Sequence, residues 1–141
     1  MITDTKSLRI LLADDAPSVR QALRWLLEEI PGYVVVGDAA DGETAVDLCR
    51  DLTPDLVILD LQLPCKNGFR VIQRLKEQMP DIRVLVLSGH GDDATRRLAL
   101  EMGADGFVEK SDGWEALLAQ IHQVMTPPLK QGDNPYDFIH S

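Results

Sequence analysis

The sequence predicts an α/β fold in which five parallel strands form one sheet with helices on both of its faces. Five short runs of apolar residues recur along the 141 residues, and amphipathic helical patterns separate them. Most of these runs are apolar throughout, which is typical of parallel strands that helices cover on both sides. Strands that alternate with helices in this way form βαβ units, and repeated βαβ units build a parallel sheet.

The five predicted strands are short and evenly distributed along the chain. They are Leu8–Ala13, Tyr33–Val36, Leu56–Leu59, Val84–Leu87 and Phe107–Val108. Crossovers between parallel strands are right-handed, which leaves few possible topologies. We expect a flavodoxin-like, doubly wound sheet with strand order 2-1-3-4-5, in which the ligand crevice lies between strands 1 and 3.

Between the strands, apolar residues recur at the helical spacing of three and four. The stripes consist of Val19, Leu23, Leu26, Leu27 and Ile30; Ala45, Leu48, Cys49 and Leu52; Ile72, Leu75 and Met79; Leu98, Ala99 and Met102; and Trp114, Leu117, Leu118, Ile121, Val124 and Met125. Pro17 suits the first turn of the first helix, and Pro31–Gly32 ends that helix. Residues 126–141 contain three prolines and no periodicity, so we expect a linker or disordered tail after a single domain over residues 1–125.

The composition limits the classes of function. A net charge of −9, with no basic stretch denser than Arg96–Arg97, argues against DNA binding by this chain, because DNA-binding surfaces neutralise phosphates with lysine and arginine. No apolar run reaches the ~20 residues that cross a bilayer, and the N-terminus lacks a secretory signal. We therefore expect a cytoplasmic protein without a membrane partner. Cys49 and Cys65 lack metal-ligand spacing, and Cys49 is predicted to lie in the core.

Polar side chains follow the carboxyl ends of four predicted strands. Strand 1 runs into Asp14–Asp15, strand 3 into Asp60, strand 4 into Ser88 and strand 5 into Glu109–Lys110. Each residue alone is more often a turn former, a helix cap or a surface charge. Together, however, three carboxylates at one edge repel one another, by about 4 kcal/mol per pair at ~4 Å and an effective dielectric of 20. Lys110 can offset part of this repulsion and a divalent cation the rest, and all-oxygen ligands suit Mg²⁺.

These residues lie in the motifs ILLADDAPSVR, LVILDLQLPCKNG, VLVLSGH and GADGFVEK, with which residues 8–125 resemble the CheY-like receiver domain of two-component response regulators. Each motif alone is weak, but their order and spacing are specific. The motifs look most like receivers of the NarL/LuxR type, which precede a helix-turn-helix domain. Sixteen residues follow Met125, too few for three such helices of ~10 residues each, so we expect the output domain to be absent or to belong to a partner.

Carried over residue by residue, the resemblance implies a role for each member of the cluster. Asp60 would be the phosphoacceptor, and Lys110 and Ser88 would complete the catalytic set. Mg²⁺, for which Mn²⁺ could substitute, would be bound by the side chains of Asp14, Asp15 and Asp60 and the backbone carbonyl of Gln62.

The resemblance also implies residues that act around this set. Ser88 and Phe107 would form the conformational switch, and Gln62 and His90 would tune the lifetime of the acyl phosphate. Pro64 and Gly68 match the residues that the family has four and eight positions after the acceptor. Two positions depart from the family pattern. Ser111 follows Lys110 where many members have a proline in a cis peptide bond, and the switch aromatic is Phe107 rather than tyrosine.

The implied function is phosphorelay signalling. A sensor histidine kinase or a histidine phosphotransfer protein would phosphorylate the domain, which would then switch the surface of helix 4, strand 5 and helix 5 and control transcription. Phosphorylation could also drive homodimerisation. The domain would be no enzyme in the usual sense, because it would assist only its own phosphorylation and dephosphorylation.

Three other functions compete with this interpretation. A haloacid-dehalogenase-like phosphatase also uses an aspartyl nucleophile, but it needs a second aspartate two residues later, where this chain has Gln62. A nucleotide-binding module is disfavoured because no GxGxxG or GxxxxGK[ST] pattern follows a strand. A receiver-like interaction module that is never phosphorylated remains open.

Overall fold

The computed structural model describes residues 7–63, 67–89 and 91–126. The strands are β1 (Leu8–Ala13), β2 (Tyr33–Ala39), β3 (Leu56–Leu59), β4 (Arg83–Ser88) and β5 (Gly106–Glu109). The helices are α1 (Pro17–Glu28), α2 (Gly42–Leu52), α3 (Gly68–Gln78), α4 (Asp93–Glu101) and α5 (Trp114–Met125), and the 3₁₀ turn Lys110–Asp112 joins β5 to α5. Cys65 and residues 127–141 of the expected tail lie outside the described residues.

The five strands form one parallel sheet in the order β2-β1-β3-β4-β5, which confirms the predicted flavodoxin-like topology. β1 and β3 are neighbours although α1, β2 and α2 separate them in sequence. Their last paired residues are Ala13 and Leu59. Each of these residues is followed by an aspartate, so the register itself brings two acidic side chains to the same edge of the sheet.

The core has two halves, one on each face of the sheet. Side chains of a strand alternate between faces, so Leu11 and Ala13 of β1 pack on the side of α2, α3 and α4, whereas Ile10 and Leu12 pack on the side of α1 and α5. Burial of each such leucine or isoleucine contributes about 1.5–3 kcal/mol. The Cys49 side chain is fully buried in the first half, as predicted, and burial raises the pKa of its thiol to about 12.

β2 differs from its prediction because it continues to Ala39 rather than ending at Val36. Gly37 and Asp38 are poor strand formers, but they pair with Leu11 and Leu12 of β1 and thereby extend the ladder. A side chain at residue 37 would crowd Leu52 of α2, since a Cβ there would lie 3.1 Å from its Cδ1. β2 is also an edge strand with only partial burial, so it is not covered on both faces.

The ends of the helices were predicted less accurately than their positions. α1 begins at Pro17 as expected but ends at Glu28, so Ile30 lies in the turn that follows it. The carboxylates of Asp41 and Asp92 accept hydrogen bonds from the first turns of α2 and α4 and thereby cap these helices. Across the described residues, no helix combines the length and the apolar character that a membrane span requires.

Candidate functional site

Asp14 and Asp60 lie side by side at the carboxyl edge of the sheet. The Asp60 N–H donates to the Ala13 carbonyl over 2.8 Å, and the Asp14 N–H donates to the Ala39 carbonyl over 3.0 Å, so both backbones continue the ladder by one residue. The two residues are only 3% and 4% exposed. Two buried aspartates on neighbouring strands are costly unless cations or hydrogen-bond donors face them.

Lys110 provides the cation. Its Nζ lies 3.0 Å from Oδ2 of Asp14 and 3.1 Å from Oδ2 of Asp60. The other oxygen of each carboxylate accepts from the backbone N–H two residues later, Asp14 Oδ1 from Ala16 and Asp60 Oδ1 from Gln62, both over 2.9 Å. Each carboxylate therefore has a fixed orientation, with one oxygen bound to its own loop and the other turned towards the ammonium.

The charge state of Lys110 follows from competing effects. Burial is the largest single influence and lowers its pKa, but the hydrogen bonds to Asp14 and Asp60, together with their Coulombic attraction, raise the pKa and outweigh burial. The pKa of Lys110 therefore lies above its ordinary value, and the ammonium is charged at neutral pH. One ammonium faces two buried carboxylates, so the cluster keeps an excess of negative charge.

Asp15 adds a third carboxylate to this edge. Its side chain is exposed, and one carboxylate oxygen from each of Asp14, Asp15 and Asp60 lies within 4.8 Å of the other two. Three hard oxygen donors with excess negative charge fit a small divalent cation such as Mg²⁺, which prefers carboxylates and keeps several waters. Gln62 is exposed, and its hydrogen bond to Asp60 runs through its N–H.

The two residues of the predicted switch lie on adjacent strands. Ser88 is the last residue of β4 and pairs with Glu109, and Phe107 pairs with Val86 two residues earlier. Paired residues of neighbouring strands project to the same face of the sheet, and so do residues two apart in one strand. Ser88 and Phe107 therefore lie on the same face, with Ser88 two residues beyond the partner of Phe107. The Phe107 side chain is 4% exposed, and the Arg96 guanidinium of α4 lies 6.0 Å from the centre of its ring.

Gly68 has a steric reason to be glycine. Its N–H donates to the Leu61 carbonyl over 3.2 Å, which closes the loop that follows Asp60. A Cβ at residue 68 would lie 2.5 Å from the Leu61 backbone, closer than real Cβ atoms approach. Pro64 and His90, which the sequence also singled out, lie outside the described residues.

Two residues that position the cluster were missed by the sequence analysis. Asp112 accepts a hydrogen bond from the Glu109 N–H over 3.2 Å and thereby closes the turn that carries Lys110, and the described residues contain no cis peptide bond. The Glu109-x-x-Asp112 spacing, which is typical of a capped turn, could have revealed it. Arg20 of α1 donates to the Asp14 carbonyl over 2.6 Å, and no local pattern in the sequence indicates this contact.

A mainly apolar groove of about 340 Å³ lies next to the cluster, between α1 and α5. We call it the α1–α5 groove, and it is lined by Ser18, Val19, Ala22, Leu23, Leu26, Leu87, Lys110, Gly113, Trp114 and Leu117. Because Lys110 forms part of its wall, the groove opens beside the two buried carboxylates. Trp25 of α1, which the helical spacing places beside Ala22 and Leu26 of this lining, is 69% exposed.

Comparison with known proteins agrees with this geometry. Residues 10–122 match the family model of the response regulator receiver domain. The nitrate/nitrite response regulator protein NarL of Escherichia coli K12 is 39% identical over 116 residues, which are 81% of this chain and 53% of NarL. Protein CcdB of Bacillus subtilis is 35% identical over 117 residues, which are 83% of this chain and 97% of CcdB.

A solved structure gives the same result. The two-component response regulator of the LuxR family from Aurantimonas sp. SI85-9A1 superposes with a TM-score of 0.78 and is 38% identical, and the match covers 85% of each chain. The chain thus spans about half the length of NarL and nearly all of CcdB. The family model alone covers most of the described residues, including the whole acidic cluster. The chain belongs to the response regulator receiver domain family.

Proposed function

We propose that this domain accepts a phosphoryl group on Asp60 from the phosphohistidine of a sensor histidine kinase or a histidine phosphotransfer protein. The observation that carries the proposal is the sharing of the Lys110 ammonium by two buried carboxylates of neighbouring strands, with the third carboxylate of Asp15 beside them. Phosphoryl transfer depends on positioned positive charge around the transferred group rather than on a covalent partner of special reactivity.

Asp60 is the acceptor that the strand order favours. It follows β3, in the middle of the sheet, with Asp14 and Asp15 after β1 on one side and Ser88 at the end of β4 on the other. A phosphoryl group on Asp60 is therefore flanked by the acidic pair, by a hydroxyl and by the ammonium of Lys110. A phosphoryl group on Asp14 would lie one strand further from Ser88.

In the transfer, an oxygen of Asp60 attacks phosphorus in line with the donor nitrogen. The oxygen–phosphorus bond forms as the nitrogen–phosphorus bond breaks, and the imidazole leaves with the electron pair. Asp14, Asp15, Asp60 and the Gln62 carbonyl would hold Mg²⁺, or Mn²⁺ in its place, which would supply further positive charge to the phosphoryl oxygens. Lys110, held by Asp112 through the closed turn, supplies the charge that the chain itself carries.

The donor and the output use different surfaces of the domain, and α5 contributes to both. The α1–α5 groove is the apolar surface beside Lys110, so we assign the donor to it. The output is a change in the surface of α4, β5 and α5, driven by Ser88 and Phe107. That surface controls dimerisation and, through an output domain, transcription. Gln62 and His90 set the lifetime of the acyl phosphate.

Chemical phosphorylation tests this proposal without a kinase. The protein is incubated with phosphoramidate or acetyl phosphate and MgCl₂, and its intact mass is measured. We expect one added phosphoryl group, no addition with EDTA, and no addition to Asp60→Asn. Asp51→Asn, on the exposed face of α2, is the control and should react like the wild type. Equal phosphorylation of Asp60→Asn would refute the assignment, and an unreactive wild type would favour the unphosphorylated interaction module.

A further inference from the structure

We infer that Arg20 is a positioning residue that holds the Asp14–Asp15 pair in the geometry in which it binds Mg²⁺, an inference that rests on the proposed function. Its Nη1 donates to the Asp14 carbonyl oxygen over 2.6 Å, and only 17% of its side chain is exposed. β1 ends at Ala13, so the Asp14 carbonyl lies beyond the ladder. Arg20 supplies this carbonyl with the hydrogen bond that the sheet no longer provides.

A second contact anchors the guanidinium itself. Its Nε lies 3.3 Å from Oδ1 of Asp38 in β2, and Asp38 pairs with Leu12 in β1. The carboxylate of Asp38 is attached to the rigid sheet, so it fixes the guanidinium at one side while Nη1 reaches the Asp14 carbonyl at the other. The planar, forked guanidinium can hold two such partners at once, which a lysine ammonium on a flexible stem does poorly.

The peptide that Arg20 holds is the one that joins the two acids. The Asp14 carboxylate is already fixed by the Ala16 N–H and by Lys110. Asp15 is exposed, and its direction depends on the peptide that precedes it. If the Asp14 carbonyl turns, Asp15 turns with it and leaves the distance range in which the three carboxylates can share one cation. Arg20 thus acts on cation binding through the backbone, without touching the cation.

The positive charge of Arg20 lowers the affinity for Mg²⁺, whereas its orienting role raises that affinity. A cation near the acidic cluster repels Mg²⁺, so loss of the charge alone would tighten binding. Partners that orient metal ligands are nevertheless worth roughly 10–100-fold in metal affinity, and ion pairs near the surface are weakened by solvent. We therefore expect that removal of Arg20 weakens Mg²⁺ binding, because the loss of orientation outweighs the loss of repulsion.

Arg24 provides a matched control on the same helix. Its Nη2 lies 3.0 Å from Oδ2 of the same Asp38, and among the described residues its other polar contact is with the Val35 carbonyl. Arg24→Met thus removes an arginine of equal charge that shares the anchor but does not hold the Asp14 peptide. Arg20→Lys keeps the charge of Arg20 and removes the fork, which separates orientation from electrostatics.

The experiment measures Mg²⁺ binding to the full, unphosphorylated chain by titration calorimetry with MgCl₂ alone. Amide exchange at Asp15 and Ala16 is measured in parallel, and thermal unfolding verifies that each variant is folded. We expect about tenfold weaker Mg²⁺ binding and faster exchange at these amides for both Arg20→Met and Arg20→Lys, following the usual effect of such partners. Arg24→Met should stay within about twofold of the wild type.

The outcomes are distinguishable. Wild-type affinity in both Arg20 variants, tighter binding in Arg20→Met, or an equal loss in Arg24→Met would each overturn the role of Arg20 and leave the proposed function intact. If Arg20→Met does not fold, the Mg²⁺ affinity and amide exchange of Arg20→Lys test the role of Arg20. A wild-type chain that does not bind Mg²⁺ would overturn both this inference and the metal-dependent part of the proposed function.

Discussion

Lys110 illustrates how one side chain can serve both stability and chemistry. Two buried carboxylates point an oxygen at its ammonium, and each also accepts from one backbone N–H of the described residues. Removal of one partner from a buried charge cluster leaves the other charges without compensation, which is costly. The Lys110 side chain is about a third exposed, however, so water replaces part of what is lost. The same exposure leaves Lys110 accessible to an incoming phosphoryl group.

We expect Lys110→Met to lower the free energy of unfolding at pH 7 by about 1–2 kcal/mol, because Asp14 and Asp60 lose their cation. The pKa of Lys110 is raised in the folded protein, so its stabilising contribution is complete below the unfolded pKa of ~10.4 and is lost as pH rises through the higher folded value. Urea unfolding at pH 7 and at about pH 11, above the unfolded pKa, measures the difference in unfolding free energy between the wild type and Lys110→Met. It should shrink at the higher pH, whereas exposed Arg70→Met should match the wild type.

Gly68 offers a steric test at the same scale. Gly68→Ala would place a Cβ 2.5 Å from the Leu61 backbone, and this contact cannot relax without moving the residue next to Asp60. We expect a loss of about 1–3 kcal/mol in unfolding free energy, which is the usual cost of overpacking, and slower phosphorylation by phosphoramidate.

Gly89→Ala is the matched control for Gly68→Ala. Among the residues that the structure describes, a Cβ at residue 89 would meet no atom within 4 Å, so the substitution should leave both stability and phosphorylation near wild type. Urea unfolding and intact-mass kinetics give the two readouts. If Gly68→Ala and Gly89→Ala behaved alike, the close approach to Leu61 would not control the loop.

At the scale of elements, α1 has two distinct faces. Leu23 and Leu27 are buried on the side of the sheet, and Leu23 also lines the α1–α5 groove together with Ser18 and Ala22. Trp25 is largely exposed. A large exposed aromatic beside an apolar groove is typical of a binding surface, because tryptophan is enriched among residues that dominate interface energies. The helix thus brings the proposed docking surface and the start of the acidic loop together.

We expect Trp25→Ala to slow phosphorylation by a donor kinase or phosphotransfer protein about 30-fold, since a tryptophan that dominates an interface contributes roughly 2 kcal/mol or more. Phosphorylation by phosphoramidate should be unchanged, because Trp25 is not part of the acidic cluster. Val34→Ala, an exposed apolar residue on the edge strand β2, is the control for lost surface area. If Trp25→Ala reacted normally with the protein donor, the donor would dock on another surface of the domain.

At the scale of the whole molecule, the sheet was the most predictable feature. β1 and β3 were predicted to the residue, because Leu8–Ala13 and Leu56–Leu59 are almost wholly apolar and polar residues follow them. The end of β2 was not, since Gly37 and Asp38 are held in the strand by pairing with β1 rather than by their own preference. Local composition therefore determines the central strands, and tertiary contacts determine the edge.

The cluster was predictable for the same reason that the sheet was. Asp14, Asp60 and Lys110 follow strands, so the strand order alone brings them together. Arg20 was missed because its role depends on a hydrogen bond to a backbone carbonyl, which has no residue-specific signature. Asp112 does have a local signal, the capped-turn spacing Glu109-x-x-Asp112, but that signal indicates a turn and not a link to the site. Sequence thus reveals the groups that carry charge into the site more readily than the groups that orient them.

The proposed switch of Ser88 and Phe107 would join the cluster to the rest of the molecule. Phosphate on Asp60 would offer the Ser88 hydroxyl a charge-assisted hydrogen bond worth about 1.5–3 kcal/mol. Burial of the Phe107 ring can add little, because the ring is already packed in the core beneath Arg96. A change from 1% to 99% of the active state needs ~5.5 kcal/mol. Phosphorylation should therefore shift the population of the two states without fixing one of them.

A double-mutant cycle on Ser88 and Phe107 tests this coupling. Ser88→Ala, Phe107→Leu and the double variant are compared for phosphorylation-dependent dimerisation by sedimentation; leucine is used because alanine would leave a cavity costing about 3–5 kcal/mol. We expect a coupling energy of about 0.5–2 kcal/mol, as for residues that share one network. Val108→Ala replaces the next residue of β5 on the opposite face and should couple to Ser88→Ala much more weakly. Strictly additive effects of Ser88 and Phe107 would mean that the two residues do not act as one switch.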